Sequence, residues 1–201
     1  MKNKKIFYLI GVILLIIILL VLIFKNTTKN FKNGNNMNSQ EIVDYILSIN
    51  SYKAQVTVQV NSNKNTNKYI LKQEYNTENG CVQEVIEPSN IAGVKILKKD
   101  GNLIIENTNL NLSKMFSNYK GLEENSLDLC NFIQDYKANN ESNFEQQNND
   151  IIMTTTNKNK YNKIKVLYID KKHVIPTRMQ IKDDNQNMTI IIEYNNIELN
   201  K

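Results

Sequence analysis

The stretch "YKAQVTVQVN", which begins at Tyr52, constrains the fold more tightly than any other part of the chain. Tyr52, Ala54, Val56, Val58 and Val60 are apolar, and Lys53, Gln55, Thr57 and Gln59 between them are polar. Side chains alternate across a strand with a period of two, so these residues read as a strand with one wet face and one buried face. A single half-buried strand is not stable alone. It requires neighbours in a sheet and a layer to cover its apolar side.

The residues around it supply both. The polar run "NSNKNTN" is a turn, and Lys68 to Tyr75 returns with Tyr69 and Leu71 in phase. "NTENG" turns again into Cys81 to Ile86, and Pro88 ends that strand because its ring nitrogen cannot donate to a ladder. Val94 to Lys98 and Leu103 to Asn107 form a hairpin across "KDGN", where Asp100-Gly101 is a strong turn signal. After a helical interval come Ile151 to Thr156, Lys163 to Ile169, Val174 to Ile181 and Met188 to Tyr194, joined by "DKK" and "DDNQN". This pattern predicts about eight to eleven antiparallel strands in one sheet.

Two segments switch to helical period. Asn38 with Glu41 makes a capping-box start for a helix over Ser39 to Ile49, and Ile42, Tyr45, Ile46 and Ile49 share one face. A second helix is expected from a cap at Asn125 or Ser126 to about Lys137. Leu127, Cys130, Ile133 and Tyr136 make its stripe, which Leu129 and Phe132 widen. "LSKMFSNY" reads as a short helical or irregular piece and "ANNESNFEQQNN" as a loop. Two or three helices lying on one face of an antiparallel sheet make an α+β domain.

The N-terminus places that domain. Residues Ile6 to Phe24 are 19 consecutive uncharged residues dominated by Ile, Leu and Val, including Leu14 and Leu20. As a helix they would be roughly 28 Å long, close to the thickness of a hydrocarbon core. There is no small-residue cleavage signal, and no Cys follows the run to take a lipid. The expectation is an uncleaved, single-pass signal anchor. It divides the chain into a short basic cytoplasmic tail (1–5), the membrane segment (6–24), a flexible stalk (25–37) and an extracytoplasmic domain (38–201). Six of the 25 basic residues precede residue 38, leaving 19 against all 20 acidic residues, so that domain is formally −1. The sequence pI of about 9.0 therefore belongs to the anchor, which removes the usual argument for nucleic-acid binding.

Chemistry is hard to find. His173 is the single histidine, so any Ser–His–acid or Cys–His nucleophile would have to recruit it. No Ser lies in a Gly-x-Ser-x-Gly elbow, and no Cys-x-x-Cys or His-Glu-x-x-His spacing marks a metal. "DDNQNM" from Asp183 imitates the start of a calcium loop but has Met188 where glycine belongs and Tyr194 where the bidentate Glu belongs. Adjacent acids at Glu123-Glu124 and Asp183-Asp184 point to different faces. Cys81 and Cys130 read as two buried thiols. The expectation is a protein without catalytic, metal or cofactor residues.

The order of elements has a resemblance. A capped helix, "SYKAQVTVQV", a meander with "EVIEPSNIAGVKILKKDGNLIIEN", and the closing "VIPTRMQIKDDNQNMTIIIEYNNIELN" resemble the lipoprotein-carrier (LolA/LolB-like) fold. Within it, "EVIEPSNIAGVKIL" and "NSLDLCNFIQDY" look most like the germination lipoprotein GerS and its relatives in spore-forming bacteria. The resemblance implies a curved, incomplete barrel with helices on its concave side. It implies a non-catalytic protein of the developing spore envelope, in the space between the membranes. Such a protein would bind and support a cortex N-acetylmuramoyl-L-alanine amidase, whose activity helps make the muramic-δ-lactam that germination enzymes recognise. One departure is the missing lipobox Cys, for which the apolar helix would substitute. The alternative implied by the fold is a lipid or lipoprotein carrier using the concave face under the first helix. An exposed sheet edge could add a partner's strand or exchange one with a second copy.

Overall fold

In the computed structural model, residues 37–62, 64–117, 127–156 and 164–200 are described. The expected anchor (Ile6, Leu14, Leu20, Phe24) and stalk lie outside them, apart from Met37. Among the described residues no helix is long and apolar enough to cross a membrane.

Among the described residues, eleven strands form one open, curved antiparallel sheet in the order β6-β5-β4-β3-β2-β1-β11-β10-β9-β8-β7. They are β1 (Ser51–Asn61), β2 (Thr66–Asn76), β3 (Gly80–Glu87), β4 (Val94–Lys99), β5 (Asn102–Asn107) and β6 (Leu112–Phe116), then β7 (Asn143–Gln147), β8 (Asp150–Thr156), β9 (Ile164–Asp170), β10 (Ile175–Lys182) and β11 (Met188–Asn200). Two helices, α1 (Ser39–Leu47) and α2 (Leu129–Ala138), lie on one face. The α+β architecture, the antiparallel pairing and the strand number are as the alternation predicts. The topology is two meanders joined at their first and last strands: β11 returns beside β1, with Ser51 opposite Asn200 and Val60 opposite Ile190.

Local chemistry explains most boundaries. The Asn38 side chain accepts from the Glu41 amide at 2.9 Å, and the Glu41 carboxylate accepts from the Asn38 amide at 2.8 Å, completing the capping box of α1. Asp100 and Gly101 both have positive φ, 51° and 72°, as a two-residue primed turn between β4 and β5 requires. Gly80 is needed for space: a Cβ there would lie 2.1 Å from the Lys98 carbonyl oxygen on β4. Pro176 sits in β10 opposite Ile169, before pairing with β11 begins at Arg178, so its missing donor costs no ladder bond there.

Four expectations are corrected. "LSKMFSNY" contains the strand β6, and "ANNESNFEQQNN" contains the strand β7. Both are five-residue strands at the ends of the sheet, each with one neighbour, and most of their residues are exposed. Little burial enforces alternation there, and Leu112, Met115 and Phe116 happen to fall at helical spacing. The second helix is capped by Asp128, whose side chain accepts from the Asn131 amide. Asn125 and Ser126 lie outside the described residues, and Leu127 precedes the helix. Likewise α1 ends at Leu47, with Ile49 buried just beyond it.

The core fills the space between helices and sheet. Tyr52, Val56 and Val58 of β1 meet Ile42 and Ile46 of α1 and Leu129 and Phe132 of α2, together with Ile151, Met153, Leu167, Ile169, Met179, Ile181 and Ile192. Phe132 is fully buried, so we expect Phe132→Ala to lower the unfolding free energy by about 3–5 kcal/mol. Denaturant titration of the full chain checks this; a loss below about 1 kcal/mol would show that the helix layer is not part of the core.

Candidate protein-binding surface

Two polar locks fix α2 to the sheet. At its N-terminus Asp128 is almost fully buried. One carboxylate oxygen accepts from the Asn131 amide at 2.8 Å, and the other accepts from Lys98 Nζ at 3.2 Å and Gln83 Nε2 at 3.3 Å. The next amide, Leu129 N, donates to the Tyr52 hydroxyl, which donates in turn to Gln73 Oε1 at 3.4 Å. Gln73 Nε2 reaches back to the Leu127 carbonyl at 3.4 Å. One turn further on, the buried Lys165 of β9 donates to Asn131 Oδ1 and to Asp135 Oδ2, the latter at 2.6 Å. A buried charge is tolerated only when paired and hydrogen-bonded, as both are here. The locks reach β3 and β4 on one side and β9 on the other, so α2 ties the two meanders together.

Cys81 and Cys130 are free, buried thiols near the first lock, as expected. Burial pushes both thiols up, with a further push from the Asp128 carboxylate; Cys130 reaches about 11. Burial likewise pushes the Tyr75 hydroxyl up to about 12. Groups this reluctant to ionise are poor nucleophiles. His173 is an exposed turn residue 3.1 Å from Asp170. The Asp183 carboxylate accepts from the Asn185 and Asn187 amides and the Asn187 side chain, which closes the turn and holds its pKa below the ordinary value. No group of three or more His, Cys, Asp or Glu is placed to hold a metal among the described residues.

Of the residues expected on the inner helix faces, Ile49 lies just beyond α1 and Leu127 just before α2. Ile42, Ile46, Ile49, Cys130 and Ile133 are buried, and Tyr45, Leu127 and Tyr136 pack against them partly exposed. They make core, and Ile49, Cys130 and Ile133 also line an open cavity of about 180 Å³ with Tyr75.

The face away from the helices offers something different. Val82, Leu97, Ile104 and Met115 stand directly opposite one another across β3, β4, β5 and β6. They alternate with Gln83, Lys98 and Leu103, which point to the helix side, so they form one apolar row on the outer surface. A charged row, Glu84–Lys95–Glu106, runs beside it, and Lys95 bridges to Glu84 at 3.6 Å. Along the row Val82, Leu97 and Ile104 are half-buried, while Met115 on the edge strand is 60% exposed. Nearby in the chain, Leu110 before β6 and Leu112, which points to the opposite face of that strand, are 65% and 62% exposed. The exposed large apolar side chains of the described residues are thus all within Leu110–Met115. An apolar strip with a charged rim is the usual anatomy of a protein interface.

A family model described as a YdcC-like sporulation protein matches residues 8–201. The chain belongs to that family. No curated protein matches it. Among solved structures, a chain in the complex of the CwlD amidase with the GerS lipoprotein from Clostridioides difficile is similar at 23% identity, covering 79% of this chain and 92% of that one, with a TM-score of 0.52. An uncharacterised conserved protein from Thermus thermophilus is similar at 10% identity over 81% of this chain and 88% of that one, with a TM-score of 0.53. A LolA superfamily protein from Nitrosomonas europaea matches at 12% identity over 82% and 94%, with a TM-score of 0.45. At these identities the likeness is one of fold, and the expected GerS-type fold is present.

Sequence reasoning misses both locks of this family member. Lys165 carries a signal, since it shares the phase of Leu167 and Ile169 and so must face the core. Asp128 carries a weaker one, an acid immediately ahead of an apolar helix. We expect Asp128→Ala to cost about 2–4 kcal/mol, from a lost cap and from the broken buried pair with Lys98. Thermal and denaturant unfolding check the loss. In the native chain at pH 8 both thiols should resist iodoacetamide, and both should react once the chain is denatured; rapid native alkylation would contradict the burial.

Proposed function

We propose that this chain is a non-catalytic, membrane-tethered sporulation protein whose sheet binds and supports a spore-cortex amidase. The observation that carries the reading is the apolar row that opens onto solvent at Met115, in a chain of a sporulation family. The complex of GerS with the CwlD amidase supports it by analogy of fold. The 19-residue apolar segment near the N-terminus would hold the domain at the outer surface of the membrane, as a lipid does for a lipoprotein.

Physical chemistry favours a binding role over catalysis. The titratable groups near the helix layer are locked into structure: Asp128 and Lys165 hold α2, and the thiols are kept protonated. The alternative, a lipid or lipoprotein carrier, would use the space under α1. That space is filled by Ile42, Ile46 and Phe132, all fully buried, so α1 would have to leave the sheet before an acyl chain could enter.

Met115 is exposed, so Met115→Asp should change stability by less than about 0.5 kcal/mol. At the centre of a protein interface the same charge should weaken binding by about 10- to 30-fold. The measurement is a titration of the full chain in detergent with the organism's own cortex amidase, wild type against variant. Equal affinities would remove this surface from the interface, and no binding by the wild type would remove the proposal.

A further inference from the structure

The chain has 35 asparagines, but only two are followed by glycine, Asn33-Gly34 and Asn79-Gly80. The first pair lies outside the described residues. The second closes the turn between Asn76, the last residue of β2, and Gly80, the first residue of β3. Asn79 is exposed there. Its backbone amide donates to the Asn76 carbonyl at 3.2 Å, while its side chain makes no hydrogen bond to a described residue. Other turn asparagines are tied down. Asn76 Oδ1 accepts from the Glu78 amide at 2.8 Å, Asn107 Oδ1 accepts from the Asn109 amide at 3.1 Å, and Asn187 Nδ2 donates to Asp183 at 3.0 Å. A free carboxamide before glycine is a reactive arrangement, because the next amide nitrogen can attack the side-chain carbonyl carbon and close a ring. A Cβ on the attacking residue would shield its nitrogen and restrict the rotation that closure needs, and glycine has none. Gly80 also sits at the end of its ladder with β2, opposite Asn76, where local opening costs least.

We propose that Asn79 is a site of spontaneous modification that turns to aspartate and isoaspartate as the protein ages. A base takes the Gly80 amide proton, and the nitrogen bonds to Cγ of Asn79. The Cγ–Nδ2 bond breaks, and the departing nitrogen picks up a proton and leaves as ammonia. One water then adds to either carbonyl carbon of the succinimide. Attack at Cγ restores the backbone and leaves aspartate. Attack at the main-chain carbon leaves isoaspartate, whose backbone runs through Cβ and Cγ. The backbone at Gly80 has little room for that, since a Cβ there would meet the Lys98 carbonyl oxygen at 2.1 Å and Lys99 Cβ at 3.1 Å. Isoaspartate lengthens the chain by one atom just before this contact. Val82, the first member of the outer apolar row, follows two residues after Gly80. Ageing at Asn79 would therefore loosen the end of β3 that carries the row and add a negative charge beside Glu78.

The test is to incubate the full chain in detergent at pH 6 and at pH 8, digest it with trypsin and follow each peptide by mass spectrometry. Isoaspartate is read separately, by methyl transfer with an isoaspartate methyltransferase. The peptide that holds Asn79 should gain one mass unit at least tenfold faster than any other peptide from the described residues. The gain should be faster at pH 8, because the attacking nitrogen must lose its proton, and it should come with isoaspartate. Asn33 falls in a different tryptic peptide and is read apart. Asn79→Gln should keep the melting temperature of the fresh wild type and lose the reaction at this site, because glutamine would have to close a larger ring. Aged wild type should melt below fresh wild type, and the aged variant should not. The same chain in urea is the reference. A native rate below a tenth of the denatured rate would show that the turn protects Asn79, and the proposal would fall. It would fall equally if Asn79 converted no faster than the other asparagines of the described residues.

Discussion

The pairing of β1 with β11 is the constraint on which the rest depends. These strands lie at opposite ends of the described chain, yet they form the centre of the sheet. Without their ladder the sheet would be two separate meanders, each with an apolar face only partly covered. With it, Tyr52, Ala54, Val56 and Val58 of β1 become the floor beneath both helices. The alternating stretch of β1 is therefore the most tightly specified part of the sequence. A slip of one residue would turn its buried face to water.

The helix layer adds a second constraint that is polar. Asp128 engages Lys98 and Gln83 of the first meander, and Lys165 of the second engages Asn131 and Asp135. These pairs are a poor source of stability compared with apolar groups of the same volume, but they define where α2 can sit. A greasy helix could slide on a greasy sheet. A helix whose buried carboxylate must meet Lys98 and whose next turn must meet the buried ammonium of Lys165 has one position that satisfies both.

Much of this is legible in the sequence, and the reasons for the exceptions are physical. The central strands alternate because one face is buried. The Asp100-Gly101 turn and the Asn38–Glu41 box are local chemistry that needs no tertiary context. The edge strands β6 and β7 escape the pattern because exposed edges are under no pressure to alternate. The apolar stripe places the cap of α2 too early because Leu127 continues it although that residue lies outside the helix. The outer apolar row is invisible in the sequence, since it requires the register of four strands. Val82, Leu97, Ile104 and Met115 are scattered along the chain and meet only across the ladder.

The likeness to a chain in the GerS–amidase complex is a likeness of fold, so the claim of partnership depends on the surface. Its most direct test is a photo-crosslinking amino acid placed at position 115 of the full-length chain in sporulating cells, with one at position 57 as the control. Thr57 lies on the same outer face but on central strand β1, away from the apolar row. The account predicts a crosslink to the cortex amidase from position 115 and none from position 57. Amidase capture from both positions alike, or from position 57 alone, would contradict it.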